Sequence, residues 1–212
     1  MAEHGSEGRG AASDAVFPKA RLDALTDGVF AFAMTLLVIN LEIPEAFRPG
    51  SNADLLAAFR ELDSPLIAYV ITFLTLAVRW LGQARTRGEP ERVHGAYVWA
   101  VLSLLFFVTV MPFSTLMVGR YDDMPAAIWL YAANMILSCL ASLWISFLTE
   151  RELGAHPVDS GRIELVVLIV SALLSVALSF VAPAQAMLAY LINAFSPAIR
   201  KAIERRYGED RW

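Results

Sequence analysis

The hydrophobic positions of the chain gather into six long segments separated by short polar stretches. The segments cover residues 28–43, 65–81, 96–118, 124–148, 163–181 and 183–199. A segment that crosses lipid must be helical, because each of its backbone groups needs a hydrogen-bond partner inside the protein. The pattern therefore predicts an all-α membrane protein with six transmembrane helices, the fifth and sixth of which form a tight hairpin.

The polar ends of the chain define the domain boundaries. Pro18 suits the first turn of a helix, and from there to residue 43 a helix is ~39 Å long, enough to cross a bilayer. Residues 1–17 are rich in Gly, Ala, Ser and charge. The sequence predicts a disordered cytoplasmic tail over 1–17, a six-helix membrane domain over 18–199 and a basic cytoplasmic tail over 200–212.

The basic residues predict the orientation of these spans. Six spans place both termini on the same side, and of the 17 Lys and Arg residues only Arg48, Arg60 and Arg120 lie on the opposite side. Positive charge accumulates in cytoplasmic loops, so both termini are predicted to be cytoplasmic. The outer loops are acidic on balance, and a negative outer surface would concentrate cations. The alternative is that positive-inside bias leaves acidic residues outside by default.

Composition agrees with a membrane protein. Hydrophobic residues make up 57% and charged residues 18% of the chain, against roughly 45–50% and about 25% in soluble domains. The net charge of −4 leaves no basic footprint for a nucleic-acid partner. Cys139 is the only cysteine, so no internal disulfide is possible.

Several kinds of functional motif are absent from the sequence. It has no arginine-rich voltage sensor, no glycine-tyrosine-glycine filter loop, and no carboxylate or histidine in the middle of a span. It also lacks the short motifs of hydrolases and nucleotide-binding enzymes. His4, His94 and His156 do not have metal-ligand spacing. We therefore expect neither an enzyme nor a metal or cofactor site.

The first span carries the most informative pattern. At 100° per residue, five large apolar side chains fall within a stripe about 60° wide; these are Leu25, Phe32, Leu36, Ile39 and Ile43. Thr35 and Asn40 flank the stripe on either side. One interpretation is that the stripe faces lipid or a neighbouring helix. The other is that it lines a pore between several copies of the chain, where apolar rings gate conduction by excluding water.

Asp27 lies where the first span enters the membrane. A carboxylate there is costly unless it is paired, and the like charge of Asp23 at i−4 increases the cost. Candidate partners are Arg21, Arg79 and the indole N–H of Trp80. The alternative is that both carboxylates lie in the hydrated headgroup layer.

The same segment resembles a known family. Arg21-x-x-x-Leu25-Thr26-Asp27 looks like the Arg-x-x-x-Phe-Ser-Asp first-helix motif of a potassium channel family, that of the lysosomal transmembrane protein 175 and its bacterial relatives. Further matches lie in the second span and at the end of the third: Tyr69, Phe73, Trp80 and Pro112-Phe113-Ser114-Thr115. The resemblance implies six helices per repeat, no conventional filter, and a homotetramer in which the first helix lines the pore.

The resemblance also implies roles for particular residues. Phe32, Leu36 and Ile39 match the apolar constriction. Thr35 matches a polar position linked to potassium preference, and Asn40 is a second candidate polar pore residue. Arg21 and Asp27 match residues thought to hold helices together near the cytoplasmic end.

Three departures from the family pattern affect these roles. Leu25-Thr26 replaces Phe-Ser, a conservative change. Phe32 is bulkier than the usual aliphatic residue of the constriction, so four phenyl rings would close the pore more tightly or shift the gate. Gly82 and Gln83 stand where the family has a histidine pair after the tryptophan, so a polar network expected there is weakened or rebuilt.

Together these observations predict a homotetrameric, potassium-favouring cation channel in a bacterial cytoplasmic membrane. Its partners would be the lipid bilayer and monovalent cations, with potassium as the permeant ion and no cofactor. A secondary cation transporter and a non-conducting membrane scaffold remain the alternatives.

Overall fold

The computed structural model describes residues 16–43, 47–85, 91–153 and 159–195. The chain is almost entirely helical over these ranges. In order, the elements are β1 (Val16–Pro18), α1 (Lys19–Leu37) with a 3-10 turn (Val38–Asn40), α2 (Asn52–Arg60), α3 (Asp63–Arg85), β2 (Arg92–His94), α4 (Gly95–Arg120), α5 (Pro125–Leu153), α6 (Asp159–Leu178) and a 3-10 helix (Pro183–Phe195).

Five helices of the described chain are long and apolar enough to cross a membrane: α1 with its 3-10 turn, α3, α4, α5 and α6. They correspond to the first five predicted segments. The sixth segment was predicted as a helical span over 183–199; residues Pro183–Phe195 are helical, but as a 3-10 helix, and the sixth crossing stays a prediction. Pro183 has no N–H with which to continue α6, so the chain turns there. Residues 196–199 lie outside the described ranges.

Two short strands were not predicted by the sequence pattern. β1 pairs antiparallel with β2, with Val16 opposite His94 and Pro18 opposite Arg92. The backbone N–H of Lys19 extends this pairing by donating to the carbonyl of Glu91 at 3.0 Å. The last two residues of the predicted 1–17 tail therefore belong to a strand. The rest of that tail and the predicted 200–212 tail lie outside the described residues.

The short helix α2 lies in the connection between α1 and α3. The Ser51 side chain caps it by accepting from the backbone N–H of Asp54 at 3.2 Å, and the Asp54 carboxylate accepts from the backbone N–H of Gly50 at 3.0 Å. Ser and Asp at these positions are strong helix-start signals. With 9 residues, α2 is too short to cross a bilayer.

The centre of the bundle is built on α4 and α5, with α3 and α6 packed against them. A buried hydroxyl chain joins three of these helices: the Thr72 hydroxyl oxygen lies 3.1 Å from that of Thr115 and 2.9 Å from that of Tyr131. The Tyr131 ring meets Tyr190 of the 3-10 helix edge to face, with 5.2 Å between ring centroids. The polar contacts fix which helix faces meet inside an otherwise apolar core.

Gly119 of α4 packs closely against the start of α3. A Cβ built on Gly119 would lie 3.0 Å from the Cα of Pro65 at the start of α3. Because the obstacle is backbone and not a flexible side chain, α3 has to move to admit any larger residue. Gly119 therefore sets the distance between α3 and α4 at this end of the bundle.

We expect Gly119→Val to destabilise the folded protein, because overpacking a close contact costs about 1–3 kcal/mol. Gly82→Val is the matched control, since a Cβ at Gly82 has no atom within 4 Å. The midpoint of thermal unfolding in detergent should fall in the first variant by clearly more than in the second. Equal midpoints would contradict the assigned contact.

Candidate functional site

The helix α1 has two distinct faces. One face packs against α3 and α4, and its buried residues recur every three or four positions: Lys19, Leu22, Thr26, Phe30, Ala33 and Leu37. This spacing places them on one side of a helix. The helix is therefore held by the bundle along its whole length, from one side only.

Most of the opposite face of α1 is not covered by the residues that the structure describes. Phe32 is 66% exposed and Ile39 is 55% exposed, while Leu36 is half-buried. Phe32 and Leu36 border an apolar groove of about 470 Å³, which Thr109 of α4 lines from the other side. Phe32 and Leu36, two of the three residues predicted as a constriction, thus share one apolar groove, and Ile39 is exposed in the 3-10 turn that follows.

The stripe predicted for the first span ends earlier than the pattern suggested. The α-helical spacing was extended to Ile43, but α1 ends at Leu37 and continues as the 3-10 turn Val38–Asn40. Ile43 is thus not part of the helix. Ile39 keeps an exposed position because the tighter turn still presents it on the outer side.

Asp27 has a hydrogen-bond partner on α3. The indole N–H of Trp80 donates to its carboxylate at 2.8 Å. Of the three candidate partners proposed from the sequence, Trp80 is the one that contacts Asp27, and Arg21 lies on the exposed face of α1. The contact ties the beginning of the first span to the end of the second.

The neighbouring residues of the motif are placed as follows. Leu25 is 46% exposed, whereas Thr26 is buried and donates to the Leu22 carbonyl at 2.9 Å. The Asp23 carboxylate accepts from the buried Lys19 ammonium at 2.9 Å. Asp23 therefore has a counter-charge, and the i, i+4 spacing of Lys19 and Asp23 was a readable signal for the pair.

Arg79 turns away from Asp27 and towards α5. Its guanidinium donates to the Ser138 hydroxyl at 2.6 Å, to the Ser138 carbonyl at 2.9 Å and to the Ser142 hydroxyl at 2.8 Å. Arginine offers five N–H donors in a planar fork, which suits several acceptors at once. Adjacent residues of α3 thus bind opposite neighbours, since Trp80 contacts α1 and Arg79 contacts α5.

The two polar candidates of the first span differ in their surroundings. Thr35 is exposed, and its hydroxyl donates to the Phe32 carbonyl at 2.7 Å. Asn40 is half-buried, and its side-chain amide donates to the Pro112 carbonyl of α4 at 3.0 Å. Sequence reasoning did not foresee this second contact, because nothing in the spacing links residues 40 and 112.

No group of three or more His, Cys, Asp or Glu side chains within the described ranges is arranged to hold a metal ion. Asp23 and Asp27 are each engaged within the chain.

A helical bundle in which five of the described helices are long and apolar enough to cross a membrane defines a multi-pass membrane protein of the all-α class. Residues 21–112 match the sequence model of the endosomal/lysosomal potassium channel TMEM175 family. This stretch runs from Arg21 to Pro112 and so includes most of α1, all of α3 and the first two thirds of α4. The predicted resemblance is confirmed: this stretch of the chain is similar to the TMEM175 family.

Two of the curated bacterial relatives are both named as potassium channels. The chain is 29% identical over 123 residues to a potassium channel of Chryseobacterium sp., covering 58% of this chain and 60% of that protein. It is 32% identical over 130 residues to a potassium channel of Streptomyces collinus, covering 58% of this chain and 62% of that protein. The chain thus spans about three fifths of the length of these relatives.

Solved structures show the fold. The crystal structure of a lysosomal potassium-selective channel TMEM175 homolog from Chamaesiphon minutus superposes with a TM-score of 0.69 at 24% identity, covering 85% of this chain and 96% of that one. A variant of the potassium channel MtTMEM175, solved with a nanobody–MBP fusion protein, gives 0.51 at 17% identity, covering 89% and 91%. The described helices therefore adopt the TMEM175 fold.

We expect Trp80→Phe to destabilise the protein, because the ring remains while the N–H donor to Asp27 is lost. A hydrogen bond to a charged group contributes roughly 1.5–3 kcal/mol. Trp99→Phe is the matched control, since Trp99 is 68% exposed. Thermal unfolding in detergent should show a lower midpoint for the first variant only, and equal midpoints would show that the Asp27 contact adds nothing.

Proposed function

We propose that this chain forms a homotetrameric cation channel that favours potassium, with α1 of each copy next to a central pore. Two observations support the proposal: curated relatives are named as potassium channels, and the helices adopt the fold of a TMEM175 homolog. The channel works without a filter loop, an enzyme activity or a cofactor. Its site of action is a bacterial cytoplasmic membrane.

The observation that carries the proposal is the uncovered apolar face of α1. The helix is buried on one side and leaves Phe32 and Ile39 exposed on the other. One such face cannot enclose a path, whereas cyclic symmetry brings several copies round a common axis. Four copies give rings of Phe32, Leu36 and Ile39 that dewet the pore and act as a hydrophobic gate.

Polar groups beside these rings provide contacts for a permeating ion. Thr35 lies on the exposed side of α1, one residue before Leu36. Its hydroxyl oxygen is a neutral ligand of the kind that potassium accepts in place of water. Arg21 is also on this exposed side, so we assign it to contacts between neighbouring copies at the cytoplasmic end.

The proposed orientation keeps both termini in the cytoplasm and adds a sixth crossing. The 3-10 helix Pro183–Phe195 has 13 residues, and at ~2.0 Å per residue it extends ~26 Å. This length approaches the ~30 Å hydrocarbon core. A 3-10 helix satisfies its backbone internally, so it meets the requirement that lipid imposes on a span.

The direct test is recording from purified protein in a planar bilayer under opposed potassium and sodium gradients. We expect unitary currents with a reversal potential displaced towards that of potassium. Mass measurement in detergent should give four chains. Flux that requires a coupled gradient would indicate a secondary transporter, and tetramers without flux would indicate a scaffold; either result would overturn the proposal.

We expect Phe32→Ala to raise the current, because removing four phenyl rings widens and wets the narrowest apolar ring. Phe32→Asn should do the same by making the ring polar. Leu36→Asn and Ile39→Asn should raise it less if Phe32 dominates the constriction. Current is measured per tetramer on the same preparations used for mass determination.

Phe180→Ala is the control for this series. Phe180 is equally exposed, at 71%, but follows α6 and contacts Trp129 instead of α1. Its removal should leave unitary current unchanged. A stable Phe32→Ala tetramer with wild-type current would exclude Phe32 from the gate and leave Leu36 and Ile39 as the constriction.

A further inference from the structure

Asn40 is the last residue of the 3-10 turn in which α1 ends. Its side-chain nitrogen donates to the backbone carbonyl of Pro112, 72 residues away on α4, at 3.0 Å. The acceptor is a carbonyl, so only the NH₂ end of the amide can face it. The residue therefore directs its donor into the bundle and not along the exposed stripe.

The acceptor belongs to a turn of α4 that makes several side-chain hydrogen bonds. Ser114 and Thr115 both donate to the Met111 carbonyl, at 3.1 and 2.8 Å. The Thr115 hydroxyl oxygen also lies 3.1 Å from that of Thr72 on α3, and Asn134 of α5 donates to Ser114 at 3.2 Å. Contacts from α3 and α5 thus hold the turn at Pro112 independently of Asn40.

We propose that Asn40 is a positioning residue that fixes the far end of the pore helix to the bundle through the Pro112 carbonyl. This inference rests on the channel function proposed above. The next residue back, Ile39, is one of the proposed constriction residues and is 55% exposed. Holding Asn40 in place therefore holds the last apolar ring of the constriction at a set radius.

The competing assignment places Asn40 in the pore as a polar group that meets the ion. The two assignments differ in what a charge would do. Asn40→Asp keeps the shape of the side chain, loses the N–H donor and adds four negative charges per tetramer. Asn40→Ala loses the donor without adding charge. A positioning role predicts the same phenotype for both, whereas a pore-facing role predicts opposite changes in conductance.

The experiment compares Asn40→Asp and Asn40→Ala in single-channel recordings at low and high salt, together with thermal unfolding of the tetramer. We expect both to lower the unfolding midpoint and to change open probability in the same direction. A hydrogen bond of ordinary net strength corresponds to a roughly two- to tenfold change in an equilibrium constant. Conductance at low salt should stay equal in the two variants.

A rescue variant and a charge control complete the test. Asn40→His, studied at pH 8 where the ring is neutral, offers an Nδ1–H in place of the amide N–H and should restore open probability. Asn52→Asp introduces the same charge at an exposed position in the connection that follows α1 and should leave open probability unchanged.

Two results would overturn the inference. One is higher low-salt conductance in Asn40→Asp together with lower conductance in Asn40→Ala, which would place the amide in the pore. The other is wild-type midpoint and open probability in both variants. Failure of the proposed function is distinguishable from either, because in that case the unmodified protein carries no current.

Discussion

The bundle depends on a single constraint: a polar group on an apolar helix must find its partner within the protein, because hydrocarbon offers none. Each such pair fixes the rotation of two helices at once. Asp27 and Trp80 join α1 to α3, whereas Arg79 joins α3 to Ser138 on α5. Large apolar side chains fill the remaining space, but they would tolerate other rotations. The few hydrogen bonds are what select this arrangement.

The same constraint explains why α1 can be both anchored and exposed. Its charged and hydroxyl groups on the inner side, from Lys19 to Thr26, find partners in their own chain. Its outer side carries mainly aliphatic and aromatic groups, which need no such partner. Apart from Arg21, the outer face can therefore meet lipid or a second copy without leaving charged groups unpaired. An exposed apolar face on a helix that the bundle already holds is suited to assembly.

The sequence predicted what periodicity and length control. Hydropathy located the five long spans. The spacing of 100° per residue placed Phe32 and Ile39 on the side of α1 that the structure leaves exposed. It could not locate the end of α1 at Leu37, because an apolar run continues past the residue where the hydrogen-bond pattern changes. It missed β1 and β2, since strand pairing between residues 16–18 and 92–94 is a long-range event with only short local signals.

A contact between distant residues could be predicted from the sequence only where leaving one residue unpaired would be energetically costly. The Asp27 carboxylate required a hydrogen-bond donor, and Trp80 was one of the three candidate donors that the sequence offered. Asn40 did not require a partner within the protein, because a neutral amide near the end of a helix can form its hydrogen bonds equally well with water. Its contact with Pro112 became visible only when α1 and α4 were packed together.

A pore built from apolar rings needs those rings to be placed accurately, since their radius decides whether water enters. Phe32 and Thr35 of α1 are exposed among the described residues, so little of the described chain lies across this face to hold it there. Accuracy therefore has to come from elsewhere on the helix: the buried inner face, and the contacts of Asp27 and Asn40, which lie ~20 Å apart along it. Because Asp27 is held by α3 and Asn40 by α4, a movement of either helix changes the tilt of α1 and not only its depth. Tilting a helix about one fixed end moves the residues nearest the other end most. In the proposed channel, the relative position of α3 and α4 therefore determines the radius of the apolar rings.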